Sequence, residues 1–124
     1  MSPLAWLAFT IAAAIGAPLR YLVDLEVTER AKGVFPFGTL VINASGSLVL
    51  GFLTGLGLYH AFPETPRIVL GTGFCGAYTT FSTLWFEVVR LSEDGERRTA
   101  LRYLVLSTVA GLAAAAAGLA LATL

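Results

Sequence analysis

The 124-residue chain is 56% apolar and 13% charged, with eight basic and eight acidic side chains that cancel, and its mean hydropathy is +0.78. An average soluble domain carries about 25% charged residues, so this composition excludes an ordinary soluble globule and places the chain in a bilayer. One histidine, one cysteine and no clustered carboxylates leave no nucleophile and base pair and no transition-metal site, so neither an enzyme nor a nucleic-acid partner is expected.

The charges are bunched, and none falls in residues 1–19, 33–63, 68–86 or 103–124. A helix needs about 20 apolar residues to cross roughly 30 Å of hydrocarbon. Each gap is at or near that length. The expected fold is an all-α membrane protein, a single domain over residues 1–124 with four transmembrane helices near Leu4–Val23, Phe37–Tyr59, Arg67–Val89 and Leu101–Ala122. A signal peptide is the other reading of the first span, but no basic stretch precedes Leu4 and no cleavage site follows Ala12–Ala14. So small a chain encloses little by itself, and an ion path is more easily made between subunits. Cys75 has no intrachain partner and is read as structural.

The first span aligns Ala12, Gly16 and Arg20 on one row, with Arg20 where the helix leaves hydrocarbon; it either snorkels or serves an ion. In the second span Thr39, Asn43, Ser47, Gly51 and Gly55 recur every four residues, a small and polar stripe that must meet protein or water. Close packing explains the glycines; Asn43 is the candidate functional residue. In the third span Gly71, Gly73 and Gly76 precede Thr79, Thr80, Ser82 and Thr83, which makes continuous helix doubtful. Irregular backbone at membrane depth survives only where protein buries it or a cavity hydrates it, so the segment is either a broken helix with an ion site or a glycine-rich packing face. The fourth span puts Tyr103, Ser107 and Gly111 on one row, a face able to donate hydrogen bonds. Trp6, Tyr21, Tyr59 and Trp85 lie near span ends as interfacial anchors.

The stretches Gly16–Tyr21 (GAPLRY), Gly38–Gly46 (GTLVINASG) and Gly73–Thr83 (GFCGAYTTFST) closely resemble the small bacterial fluoride channels, the Fluc or CrcB family. That resemblance covers nearly the whole chain. It implies a multi-pass protein of the bacterial cytoplasmic membrane, a dual-topology dimer with two subunits inserted antiparallel, and passive export of fluoride. It further implies a structural, non-transported sodium ion on the dimer axis, held by the backbone carbonyls of Gly76 and Thr79. Asn43, Thr83, Tyr103 and Ser107 would offer donors to the anion, Phe81 a ring edge, and Arg20 an attracting charge at the entrance. The second pore phenylalanine of the family is Leu84 here, so at least one pore site is altered.

Two other functions remain. A proton-coupled multidrug exporter needs an intramembrane carboxylate, and only Glu87 lies near a span; a non-conducting partner subunit would suit Leu84 and the small-residue stripes. The loop charges bear on pairing. With four spans, Arg67 is the only basic side chain on the side of the termini, while Arg20, Arg30, Lys32, Arg90, Arg97, Arg98 and Arg102 lie opposite. The positive-inside rule then favours insertion with both termini outside, and an oppositely oriented paralogous subunit becomes an alternative to the antiparallel homodimer.

Overall fold

A computed structural model describes all 124 residues, Met1–Leu124, and every regular element in it is helical. Three helices are long and apolar enough to cross a membrane: α1 (Pro3–Ala31), α2 (Phe37–Tyr59) and α6 (Arg97–Leu121). Between α2 and α6 runs a segmented stretch: α3 (Glu64–Ile68), a π-helical run Val69–Cys75, α4 (Gly76–Tyr78) and, after a break, α5 (Ser82–Glu93).

The charge gaps predict where apolar character ends, which is not where helix ends. Helix α1 starts on a Ser2 cap, whose hydroxyl accepts the Ala5 N–H at 3.2 Å, with Pro3 at the first helical position. It then runs past the expected end at Val23 to Ala31. Residues 24–30 contain no helix breaker, and Glu26 pairs with Arg30 one turn on at 2.6 Å. The helix stops where Lys32 and Gly33 turn to φ 44° and 110°, a conformation that glycine adopts without penalty. Likewise α6 begins at Arg97 rather than Leu101 and ends at Leu121 rather than Ala122. Only α2 keeps the expected limits.

The expected third span, Arg67–Val89, is not one helix. Gly71 and Gly73 lie in the π-helical turn, whose wider winding brings backbone close to neighbours: a Cβ on Gly73 would stand 3.2 Å from the Phe9 carbonyl oxygen. The chain then leaves helical geometry at Thr79, whose backbone is extended. Threonines satisfy both cut ends. The Thr79 N–H and hydroxyl each donate to the Cys75 carbonyl at 2.9 Å, while the Thr80 hydroxyl accepts the Thr83 N–H at 3.2 Å and so caps α5.

Small residues make the packing. A Cβ on Gly16 would stand 2.6 Å from the Phe74 carbonyl oxygen, so α1 lies backbone to backbone on the π-helical run. Along α2, Gly51 presses on Ala115, Gly55 on Leu119 and Ser47 faces Gly111. That constant offset of 64 residues makes α2 and α6 a parallel, in-register pair. Only 21 of 124 residues are buried, and large apolar side chains stand outward on every long helix. Such a surface is stable against lipid tails or a second subunit, not against water.

Candidate functional site

The expected site residues are strung along α2 in three neighbouring places. Two of these are cavities that share a wall, Thr80. In the first, about 230 Å³ in volume, Arg20 of α1 and Thr83 of α5 face Asp24, Thr39 and Thr80. In the second, an open concavity of about 440 Å³, Asn43 of α2 meets Gly76, Thr79 and Phe81. The third is the contact of α5 with α6, where Leu84 and Tyr103 share a buried cluster, with Ser107 one turn further along α6.

The wall is built by long-range hydrogen bonds. The Asn43 side chain accepts the Thr80 N–H through Oδ1 at 2.8 Å and donates from Nδ2 to the Thr80 carbonyl at 2.8 Å. These two contacts fix the orientation of the amide, since the reverse would set oxygen against oxygen. They also take the N–H that a continuing helix would return to Gly76, and the Gly76 carbonyl accepts no backbone donor. Arg20 reaches the Thr79 carbonyl at 3.0 Å. The guanidinium therefore lies within the protein, at the helix break, and still carries unused N–H groups.

Beside this wall, Glu87 is held by two hydroxyls: Thr39 of α2 donates to Oε1 at 3.1 Å and Tyr103 of α6 to Oε2 at 2.5 Å. Tyr103 has no exposed surface. Phe35 from the loop between α1 and α2 stands edge-on to its ring, with centroids 5.5 Å apart. Leu84 packs in the same cluster, with Leu91 and Ala100. It does not share the outward face of Phe81, whose side chain is 74% exposed and touches Trp85 edge-on. Neither Thr39 nor Glu87 was among the expected site residues, although Glu87 is the one acid inside an expected span, and an ionisable residue there is a functional candidate by default.

Donor counting separates the hydroxyls. Those of Thr39 and Tyr103 are engaged with Glu87. Asn43 retains one N–H, and the Thr83 hydroxyl accepts from Thr80 at 3.0 Å and keeps its own proton. Ser107 Oγ is buried without a partner, the one such side-chain atom in the chain. A buried polar atom left unpaired costs about 1–3 kcal/mol.

Long apolar helices with an outward lipid-compatible surface and small-residue seams define a multi-pass helical membrane protein. Residues 7–119 match the family model described as CrcB-like protein, Camphor Resistance (CrcB), and the chain belongs to that family. It is 47% identical over 113 residues to "Fluoride-specific ion channel FluC 2" of Mycobacterium tuberculosis, covering 91% of this chain and 86% of that one. It is 46% identical to "Fluoride-specific ion channel FluC 1" of Streptomyces avermitilis, covering 91% of each chain. The protein of the same printed name from Leifsonia xyli is also 46% identical, over 96% of this chain and 87% of its own.

Proposed function

We propose that this chain is one subunit of an antiparallel dimeric fluoride channel of the bacterial cytoplasmic membrane, crossing it with α1, α2, the broken segment 64–93 and α6. The observation that carries this reading is Ser107, whose buried hydroxyl has no partner in the chain. A desolvated anion is the partner that such a donor lacks. Fluoride is small and strongly hydrated, so a path for it must replace water with donors yet hold the ion weakly enough to release it. Free hydrogens on Asn43, Thr83, Ser107 and Arg20 supply that replacement. Arg20 adds a positive field at the break.

The ring edge of Phe81 carries the positive part of the aromatic quadrupole and suits an anion. Its exposure leaves the path open on that side, which a second subunit would enclose. Leu84 lies behind, against the Tyr103 cluster, so each chain offers a single ring edge from this run. Liposomes containing the purified protein should lose fluoride passively and retain chloride, with no effect of a proton gradient. Phe81→Ile should slow that loss. Efflux that needs a proton gradient would return the exporter reading, with Glu87 as its carboxylate.

A structural sodium ion fits the residues at the break. The Gly76 carbonyl has no backbone donor, and the Cβ position of Gly76 has nothing within 4 Å, so a partner can approach. Neutral carbonyl oxygens from two chains suit a hard monovalent cation. Thr79 would offer the second lone pair of its carbonyl, the first being taken by Arg20. Sodium bound there supplies a charge that joins two subunits without a carboxylate.

Loop charge bears on how the two subunits pair. With Arg20 inside the protein, six basic side chains remain on one side against Arg67 on the other. Labelling a cysteine added at the C-terminus of a Cys75→Ser chain, in intact cells, separates the two arrangements: signal only from outside would call for an oppositely oriented paralogue. Equal labelling from both sides would establish the homodimer.

A further inference from the structure

The in-register pairing of α2 with α6 divides their seam into layers of different character. The offset of 64 residues sets Thr39 level with Tyr103, Asn43 with Ser107, Ser47 with Gly111, Gly51 with Ala115 and Gly55 with Leu119. The last two layers are sealed. A Cβ on Gly51 would lie 2.9 Å from both the Ala115 carbonyl carbon and its Cα, and one on Gly118 2.7 Å from the Phe52 amide nitrogen. No ion passes between backbones that close. The Ser47 and Gly111 layer is different: a Cβ on Gly111 would meet only the Ser47 hydroxyl oxygen, at 3.7 Å. A notch with room for a methyl group remains there, one helical turn beyond Ser107.

The hydroxyls in this seam are also set apart from the others. Those of Thr10, Thr54, Ser92 and Thr108 donate to the carbonyl four residues back at 2.8–2.9 Å, the usual way a helix absorbs a hydroxyl in an apolar setting. Ser107 does not, and is 9% exposed with no partner. The Ser47 hydroxyl is likewise not turned back onto α2; it faces the Gly111 notch, and Ser47 also lines the concavity that contains Asn43 and Phe81. We infer that Ser47 donates a hydrogen bond to fluoride in the Gly111 notch, taking the ion from Ser107 and turning it out of the seam into the concavity before the sealed Gly51 layer.

This assignment rests on the fluoride-channel reading. Passive efflux from liposomes tests it, with Ser47→Ala, Ser47→Thr and Gly111→Ala compared to the wild type over a range of fluoride concentrations. Ser47→Ala should slow efflux about tenfold, the scale of one lost hydrogen bond to a charged group, and raise the half-saturating fluoride concentration. Ser47→Thr keeps the hydroxyl and should restore both. Gly111→Ala adds a methyl at ordinary contact distance from Ser47 Oγ, so it should assemble normally yet slow efflux by filling the notch. Should Ser47→Ala fail to assemble, Gly111→Ala still decides the matter. Variants that match the wild type in rate and half-saturation would overturn the role of Ser47 alone; a wild type that passes no fluoride would overturn the channel reading and this inference with it.

Discussion

Replacing Asn43 by Ala should nearly abolish fluoride efflux, because one side chain holds the turn at which the third segment breaks. Asn43 makes two 2.8 Å hydrogen bonds to the backbone of Thr80 from α2, 37 residues earlier in the chain. Alanine would leave the Thr80 N–H and carbonyl unmatched, at about 1–3 kcal/mol each, and would remove a free donor from the lining. Since about 1.4 kcal/mol is tenfold in rate, a fall of at least about tenfold is expected in liposome efflux. Asn43→Asp separates the two bonds. Its carboxylate still accepts the Thr80 N–H but cannot donate to the Thr80 carbonyl, and it sets a negative charge beside the path. It should therefore be as defective as Asn43→Ala in efflux. Efflux from Asn43→Asp at the wild-type rate would show that donation from this position is dispensable.

Two glycines should respond to valine in opposite ways. A Cβ on Gly51 meets backbone atoms of Ala115, which cannot yield without parting α2 from α6. Overpacking commonly costs about 1–3 kcal/mol and more where backbone must move, so Gly51→Val should prevent recovery of folded protein. Gly76 is exposed, with no atom within 4 Å of its Cβ position. Gly76→Val should fold as a monomer but weaken the dimer, because the added side chain occupies the face where the partner and the proposed sodium ion approach. Withdrawing sodium should loosen the wild-type dimer and have little further effect on Gly76→Val. Size-exclusion chromatography in sodium and in N-methylglucamine measures both. A Gly76→Val dimer that stays intact and still responds to sodium would remove Gly76 from the ion site.

The irregular third segment was legible in part. Gly71, Gly73 and Gly76 followed by Thr79, Thr80, Ser82 and Thr83 made continuous helix doubtful, and the structure answers twice: a π-helical turn over Val69–Cys75 and an extended break at Thr79. Gly76, expected at the break, lies in helical geometry; its carbonyl is freed because Asn43 has taken the N–H of Thr80. Spacing along one segment does not reveal a competitor arriving from another helix. Glu87 was weighed only as a proton-coupling carboxylate, for a related reason. Its position near the end of an apolar stretch shows no partner, and only the approach of α2 and α6 makes it the acceptor shared by Thr39 and Tyr103.

What the sequence determined by itself are the properties set by local period and composition. Gaps between charges marked the apolar stretches, and the four-residue recurrence from Thr39 to Gly55 marked the face of α2 that must touch protein. These follow from the helical repeat and the cost of charge in hydrocarbon, both of which act within a single segment. Tertiary structure alone decided which faces meet and at what register. The 64-residue offset between α2 and α6 places Ser47 against Gly111 and Gly51 against Ala115. Between parallel helices of small residues that register is selected by the fit of backbone against backbone, in which a one-turn slip would drive side chains into carbonyls. No pattern within either helix carries that information, because the fit belongs to the pair.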